Sequence, residues 1–140
     1  QPDLFLPDLA MSLNNIAMIL GMLGRSAEAL AAAGEAVSHY RFLADLRPDA
    51  FTPGLTTALE TLGLLQAGLG DAARSAATFA EAIERLTPAF ATLKLAFQDQ
   101  MSRCVDTYVR QCREAGLTPD AGLLAPIEAC LNPPPPEGCP

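Results

Sequence analysis

The sequence predicts an all-α fold of repeated antiparallel helix pairs, and three observations carry the prediction. Sliding the 140-residue chain by 46 positions sets Gln-Pro-Asp-Leu-Phe-Leu-Pro from Gln1 against Arg-Pro-Asp-Ala-Phe-Thr-Pro from Arg47. A fixed period of that size marks stacked structural units. Within each copy, apolar residues recur at helical spacing: Leu9, Leu13, Ile16, Ala17 and Leu20, then Leu55, Leu59, Leu62 and Gly63, with Gln66 as the single polar break. Alternation of apolar and polar residues is absent and alanine is abundant, which leaves strands little support.

The matches continue past the first helix of each copy. Gly24 falls on Gly70, Ala27 on Ala73, Glu35 on Glu81, Ala36 on Ala82 and Val37 on Ile83. Start and stop signals then divide the chain into helices over about 7–23, 26–45, 53–69, 71–86, 88–115 and 119–131, with a loop over 47–52. Thr52-Pro53, Thr87-Pro88 and Thr118-Pro119 each read as an N-cap Thr followed by Pro at the first helical position. Ser26 and Asp71 offer caps for the second helices, and Gly24, Gly70 and Gly116 suit the left-handed residue that closes a helix. Pro126 falls inside the last helix, where a proline kinks or splits it. Four consecutive prolines over 133–136 favour extended polyproline II, so 132–140 reads as a tail or linker.

Composition excludes several classes of partner. Half the residues are apolar, and 9 basic against 16 acidic side chains give a formal charge of −7. A nucleic-acid partner gripped through clustered Lys and Arg is not expected. Uninterrupted apolar runs such as Ile16–Leu20 fall short of the roughly 18 residues that span a bilayer, and no charged-then-apolar leader is visible at Gln1, so no membrane partner is expected. Cys104, Cys112, Cys130 and Cys139 all lie in the last 37 residues and cannot staple the rest. Reduced thiols in a cytoplasmic protein are the expectation.

These residues resemble a tetratricopeptide repeat array, in which each unit is a helix–turn–helix pair with short residues where the two helices cross. Leu13, Ile16, Ala17 and Leu20, then Gly24, Ala29, Ala33 and Ala36, occupy the family's positions in the first unit; Leu59, Leu62, Gly63 and Gln66, then Gly70, Ser75, Phe79 and Ala82, occupy them in the second. The 46-residue spacing and Ser12-Leu13-Asn14-Asn15 are similar to the longer kinesin-light-chain-type units of bacterial arrays. The resemblance covers about 5–86. It implies a right-handed superhelix, with unit one over 1–46, unit two over 47–87, and a degenerate third unit with a capping helix over 88–131.

It also implies a concave groove lined by the first helices, open to an extended or helical protein segment. The lining would be Met11, Asn14, Asn15, Met18 and Met22, then Thr57, Glu60, Thr61 and Leu64, with Lys94, Gln98 and Met101 from the third unit. An asparagine amide both accepts from and donates to a peptide backbone, and methionines mould to varied apolar side chains. The alternative for Asn14 and Asn15 is an inter-repeat hydrogen bond, and for the methionines ordinary packing. Met18 stands where carboxylate-clamping members carry Asn, and Glu60 adds negative charge, so apolar or basic ligands are expected rather than acidic ones.

Nothing in the sequence supports catalysis. His39 is the sole histidine, and no nucleophile elbow, phosphate loop or HExxH occurs. No metal or cofactor is expected: Cys104 and Cys112 are eight residues apart on one helix, about 12 Å by helical rise, with Tyr108 midway. A Cys112–Cys130 disulfide is open stereochemically if their Cα atoms come within about 7 Å, as is unlinked packing of the two thiols; Cys139 is expected to be a free exposed thiol. The reading is a non-catalytic protein-binding scaffold from a larger bacterial multidomain protein. The alternative is a structural spacer or self-association module serving an attached effector domain.

Overall fold

The computed structural model describes residues 2–132, so the expectations for the proline run and Cys139 lie outside the described residues. Six α-helices follow one another: α1 (Pro2–Met22), α2 (Ser26–Leu46), α3 (Pro48–Gly68), α4 (Ala72–Thr92), α5 (Lys94–Ala115) and α6 (Ala121–Leu131). No strand occurs among the described residues. The first helices α1, α3 and α5 begin at residues 2, 48 and 94, so the 46-residue period runs through a third unit. Gly24, Gly70 and Gly116 keep the same step, and all three have positive φ, at 75°, 81° and 71°. A side chain there would cost about 1–2 kcal/mol, and glycine removes that cost.

Helix boundaries differ from the sequence expectation at every Thr-Pro. α3 starts at Pro48, not Pro53, and a single residue, Arg47, separates it from α2. Pro48 sits in the first turn, where the donor it lacks would have no partner anyway, and Asp49 beside it complements the helix dipole. Pro7, Pro53 and Pro88 lie inside helices. α4 therefore runs on to Thr92, and the third unit opens at Lys94 rather than Pro88. Thr56 Oγ1 donates to the Thr52 carbonyl and Thr87 Oγ1 to that of Ile83, so these threonines bond back along their own helices. At α6 the cap is Asp120, whose Oδ1 accepts from the Gly122 and Leu123 amides, two residues after Thr118. Asp71 caps α4 as expected, accepting from Arg74 N.

Each helix packs on the next, from α1 through α5, while α6 packs on α4. Contacts also run between like helices. Gly21 of α1 stands against Leu65 of α3, and Glu60 of α3 against Cys104 of α5. Arg41 of α2 forms a bidentate pair with Glu81 of α4, and Arg85 Nη1 lies 2.9 Å from Asp45. The pairs 41–81 and 45–85 share one offset, so α2 and α4 run parallel. First helices form one layer and second helices the other.

The layers approach closely because the residues between them are short. A Cβ built on Gly63 would lie 2.5 Å from Cε2 of Phe79, and Phe79 itself is 2% exposed. Ser75 Oγ donates to the Gly63 carbonyl at 2.8 Å. Gln66, the polar break in the apolar stripe, accepts from Thr78 Oγ1 at 2.6 Å. Around this crossing Leu55, Leu59, Ile83, Leu86, Phe90 and Met101 form one core that continues to Cys104, Tyr108 and Ile127. α6 is tied in by Tyr108, whose hydroxyl accepts from Asp120 N at 3.0 Å, and by Lys94, whose Nζ donates to the Cys130 carbonyl.

Two glycines on helices should respond in opposite directions. Gly63→Ala forces the Phe79 ring to move and should lower the unfolding free energy by about 1–3 kcal/mol. Gly34 of α2 has nothing within 4 Å of its virtual Cβ, so Gly34→Ala should raise it by about 0.5–1 kcal/mol. Urea unfolding followed by circular dichroism reads both.

Candidate functional site

Residues 11, 15, 18 and 22 of α1 recur at i, i+4, i+7 and i+11 and so lie along one side of the helix. Met11, Asn15, Met18 and Met22 are all exposed, Met22 by 86%. Forty-six residues on, Thr57, Thr61 and Leu64 of α3 continue the face; Thr57 and Leu64 are exposed and Thr61 half-buried. The same step leads to Arg103, Thr107 and Arg110 of α5, with Arg103 and Arg110 exposed. Three parallel first helices thus present a face that is apolar at α1, mixed at α3 and charged at α5.

Asn14 departs from the expected lining: it is 7% exposed, turned into the molecule, and its Oδ1 has no hydrogen-bond partner among the described residues. The register that sets Glu60 against Cys104 sets Asn14 against Ala58, whose methyl cannot donate. In the third unit, Lys94 is engaged with Cys130, Gln98 is half-buried and Met101 is 1% exposed. These three are the counterparts of Pro48, Thr52 and Leu55, which belong to a different side of the helix. Starting the third helix at Pro88 shifts its apparent register; adding 46 to residues 57, 61 and 64 identifies Arg103, Thr107 and Arg110.

The polar groups on this face differ in what they can offer. Thr57 Oγ1 donates to the Pro53 carbonyl at 3.0 Å and Thr61 Oγ1 to that of Thr57 at 3.2 Å, so their donors are spent and a ligand meets methyls and acceptor oxygens. The Asn15 side chain makes no hydrogen bond among the described residues. Glu60 is largely covered, accepts from Cys104 Sγ at 3.2 Å, and lies 3.6 Å from Arg103 Nη2. Burial pushes the Cys104 thiol far above its ordinary range, and the Glu60 charge and hydrogen bond push it further, opposed by Arg103. The protonated thiol is the form that can donate to the carboxylate.

Other features fall elsewhere. His39 Nε2 lies 3.6 Å from Glu35 Oε1 and has no hydrogen-bond partner among the described residues. Cys104, Cys112 and Cys130 are free thiols, the first two buried, so the Cys112–Cys130 pair is unlinked. No group of three or more His, Cys, Asp or Glu among the described residues is arranged to hold a metal ion. A cleft of about 710 Å³ opens at the α2–α3 and α4–α5 junctions, lined by Asp45, Asp49, Pro53, Glu84, Pro88 and Phe97 among others. The internal prolines withhold the amides that would otherwise bond to the carbonyls of Asp49 and Glu84, both on this cleft. Averaged over a window rather than counted as uninterrupted runs, Leu4–Met22 is long and apolar enough to cross a membrane by length and composition, with a mean hydropathy of 1.4 and 17% of the window buried. Comparison of the chain with protein-family models, with curated proteins and with solved structures found no match.

The buried thiol has a consequence for stability at high pH. Unfolded cysteine ionises near pH 8.5, whereas Cys104 keeps its proton in the fold. Above that pH the unfolded chain binds fewer protons than the native one, so stability falls as pH rises, by up to about 1.4 kcal/mol per pH unit. Urea unfolding at pH 8 and pH 9.5 should show a loss about 1 kcal/mol larger in the wild type than in Cys104→Ala; equal losses would place the thiol in contact with solvent.

Proposed function

We propose that the chain is a non-catalytic helical-repeat scaffold of the tetratricopeptide kind that binds an extended or helical protein segment across α1, α3 and α5. The carrying observation is the exposed row Met11, Asn15, Met18 and Met22, continued in register by Thr57 and Leu64. Unbranched, polarizable methionines adapt to varied apolar surfaces, and Asn15 can hold a ligand backbone through both amide groups. An apolar segment fits the α1 end. A basic side chain would compete with Arg103 for Glu60, and acidic segments would meet a net charge of −7. A cytoplasmic setting and a larger bacterial parent belong to the same reading, as does the absence of a cofactor.

A spacer or self-association module is the second reading; the apolar side chains that α1 exposes away from this row, among them Phe5, Leu9 and Ile16, suit a structural contact rather than a peptide ligand. The two readings differ in what moves the thermal midpoint: an added ligand for a scaffold, the chain's own concentration for a self-associating module.

Selection of phage-displayed peptides on the immobilised chain tests the scaffold reading. Enriched peptides should carry apolar anchors and lose at least tenfold in affinity against Met18→Glu, with a smaller loss against Asn15→Ala and an unchanged thermal midpoint in both variants. Enrichment indifferent to Met18→Glu would move binding off this face.

A further inference from the structure

The second uncovered side of α1 has a counterpart in the molecule whose occupant is visible. Each α1 position can be compared with the α3 position 46 residues on. Leu9 is 45% exposed where Leu55 is 0%, Ser12 is exposed where Ala58 is 0%, and Phe5 is 72% exposed where Phe51 is half-buried. Ile16, 47% exposed, matches the half-buried Leu62. In α3 this side is packed on α2, and the Tyr40 ring lies so close to Gly54 that a Cβ there would be 2.5 Å away. At the register of Gly54, α1 carries Asp8, which is exposed.

We infer that this side of α1 is the docking surface for the second helix of another hairpin of the same repeat, seated as α2 is seated on α3 and carrying Lys or Arg at the register of Tyr40. A tyrosine has no room over a side chain at position 8, whereas a basic residue would pair with the Asp8 carboxylate as the apolar contacts on either side close around it. A second copy of this chain is a poorer occupant. The corresponding sides of α2 and α4 are already covered by α3 and α5. α6 has 11 residues and no Lys or Arg, and α1 packed on itself would leave Asp8 without a cation, since Pro2–Met22 contains none. A bilayer is poorer still, because Asp8 and Ser12 would enter it with Phe5, Leu9 and Ile16. The surface is separate from the ligand row and does not rest on the function proposed for it.

A fusion tests the inference. A copy of residues 2–47 carrying Tyr40→Arg is placed ahead of Pro2, so that the copied Arg47 joins the added helix to α1 as Arg47 joins α2 to α3. Hydrogen exchange of amides over 8–20 should slow at least tenfold relative to the chain alone, less when the copy keeps Tyr40, and the gain should vanish with Asp8→Lys in α1. Unchanged exchange in the fusion overturns the inference. So does a concentration-dependent dimer of the unfused chain that protects α1, or flotation of that chain with phosphatidylcholine vesicles. If the fusion fails to fold, Leu9→Glu/Ile16→Glu in the unfused chain decides: a midpoint within about 2 °C of wild type is expected of a free surface, and a fall of more than 10 °C would show that side already buried.

Discussion

The architecture rests on how closely first and second helices can approach. At the crossing in the second unit, Gly63 leaves a notch that the Phe79 ring fills, and Ser75 bonds to the Gly63 carbonyl beside it. Helix axes reach the usual 8–10 Å only where side chains at the contact are short. Ala17 in the first unit and Ala36 and Ala82 in the second helices serve the same end, each 0% exposed. With the layers held close by these short residues, the larger residues Leu55, Leu59, Ile83, Leu86 and Phe90 meet in one core, and the outer sides of α1, α3 and α5 line up as a single face.

Polar groups between neighbouring first helices are handled differently along the array, although their positions repeat. Glu60 accepts a hydrogen bond from the protonated Cys104 thiol and lies beside Arg103. One unit earlier the corresponding positions are Asn14 and Ala58, and the Asn14 oxygen is left without a partner. A buried acceptor without a donor costs about 1–3 kcal/mol. The first unit is thus held less firmly: among the described residues α1 adds only Ala10 and Ala17 to the buried apolar ones, while most of its large side chains face outward. Weakly buried elements open first, and the helix richest in exposed methionine contributes no described residue to the main core cluster. The ion pairs Arg41–Glu81 and Arg85–Asp45 join α2 to α4 on the exposed side, where such pairs set register more than they add stability.

Much of this was legible in the residues. The 46-residue offset, the turn glycines 24, 70 and 116, the Asp71 cap and the short residues Ala17, Gly63, Ala36 and Ala82 were all readable, because backbone conformation and close packing restrict which amino acids can stand there. Of the residues expected to line the groove, Met11, Asn15, Met18 and Met22 are exposed, whereas Asn14 and Met101 are buried. The Thr-Pro pairs misled, since a threonine before a proline suits a helix start, whereas here proline sits inside helices and the threonine hydroxyls nearby bond to carbonyls of their own helix.

By itself, then, the sequence determined helical class, period and the three glycine turns, which depend on the local fit of side chain to backbone. Only the tertiary structure decided which side of each helix is covered. Identical periodicity buries Leu55 and exposes Leu9, because α2 lies against α3 and no described helix lies against that side of α1. Burial belongs to a pair of surfaces, and a pattern of residues specifies one of them.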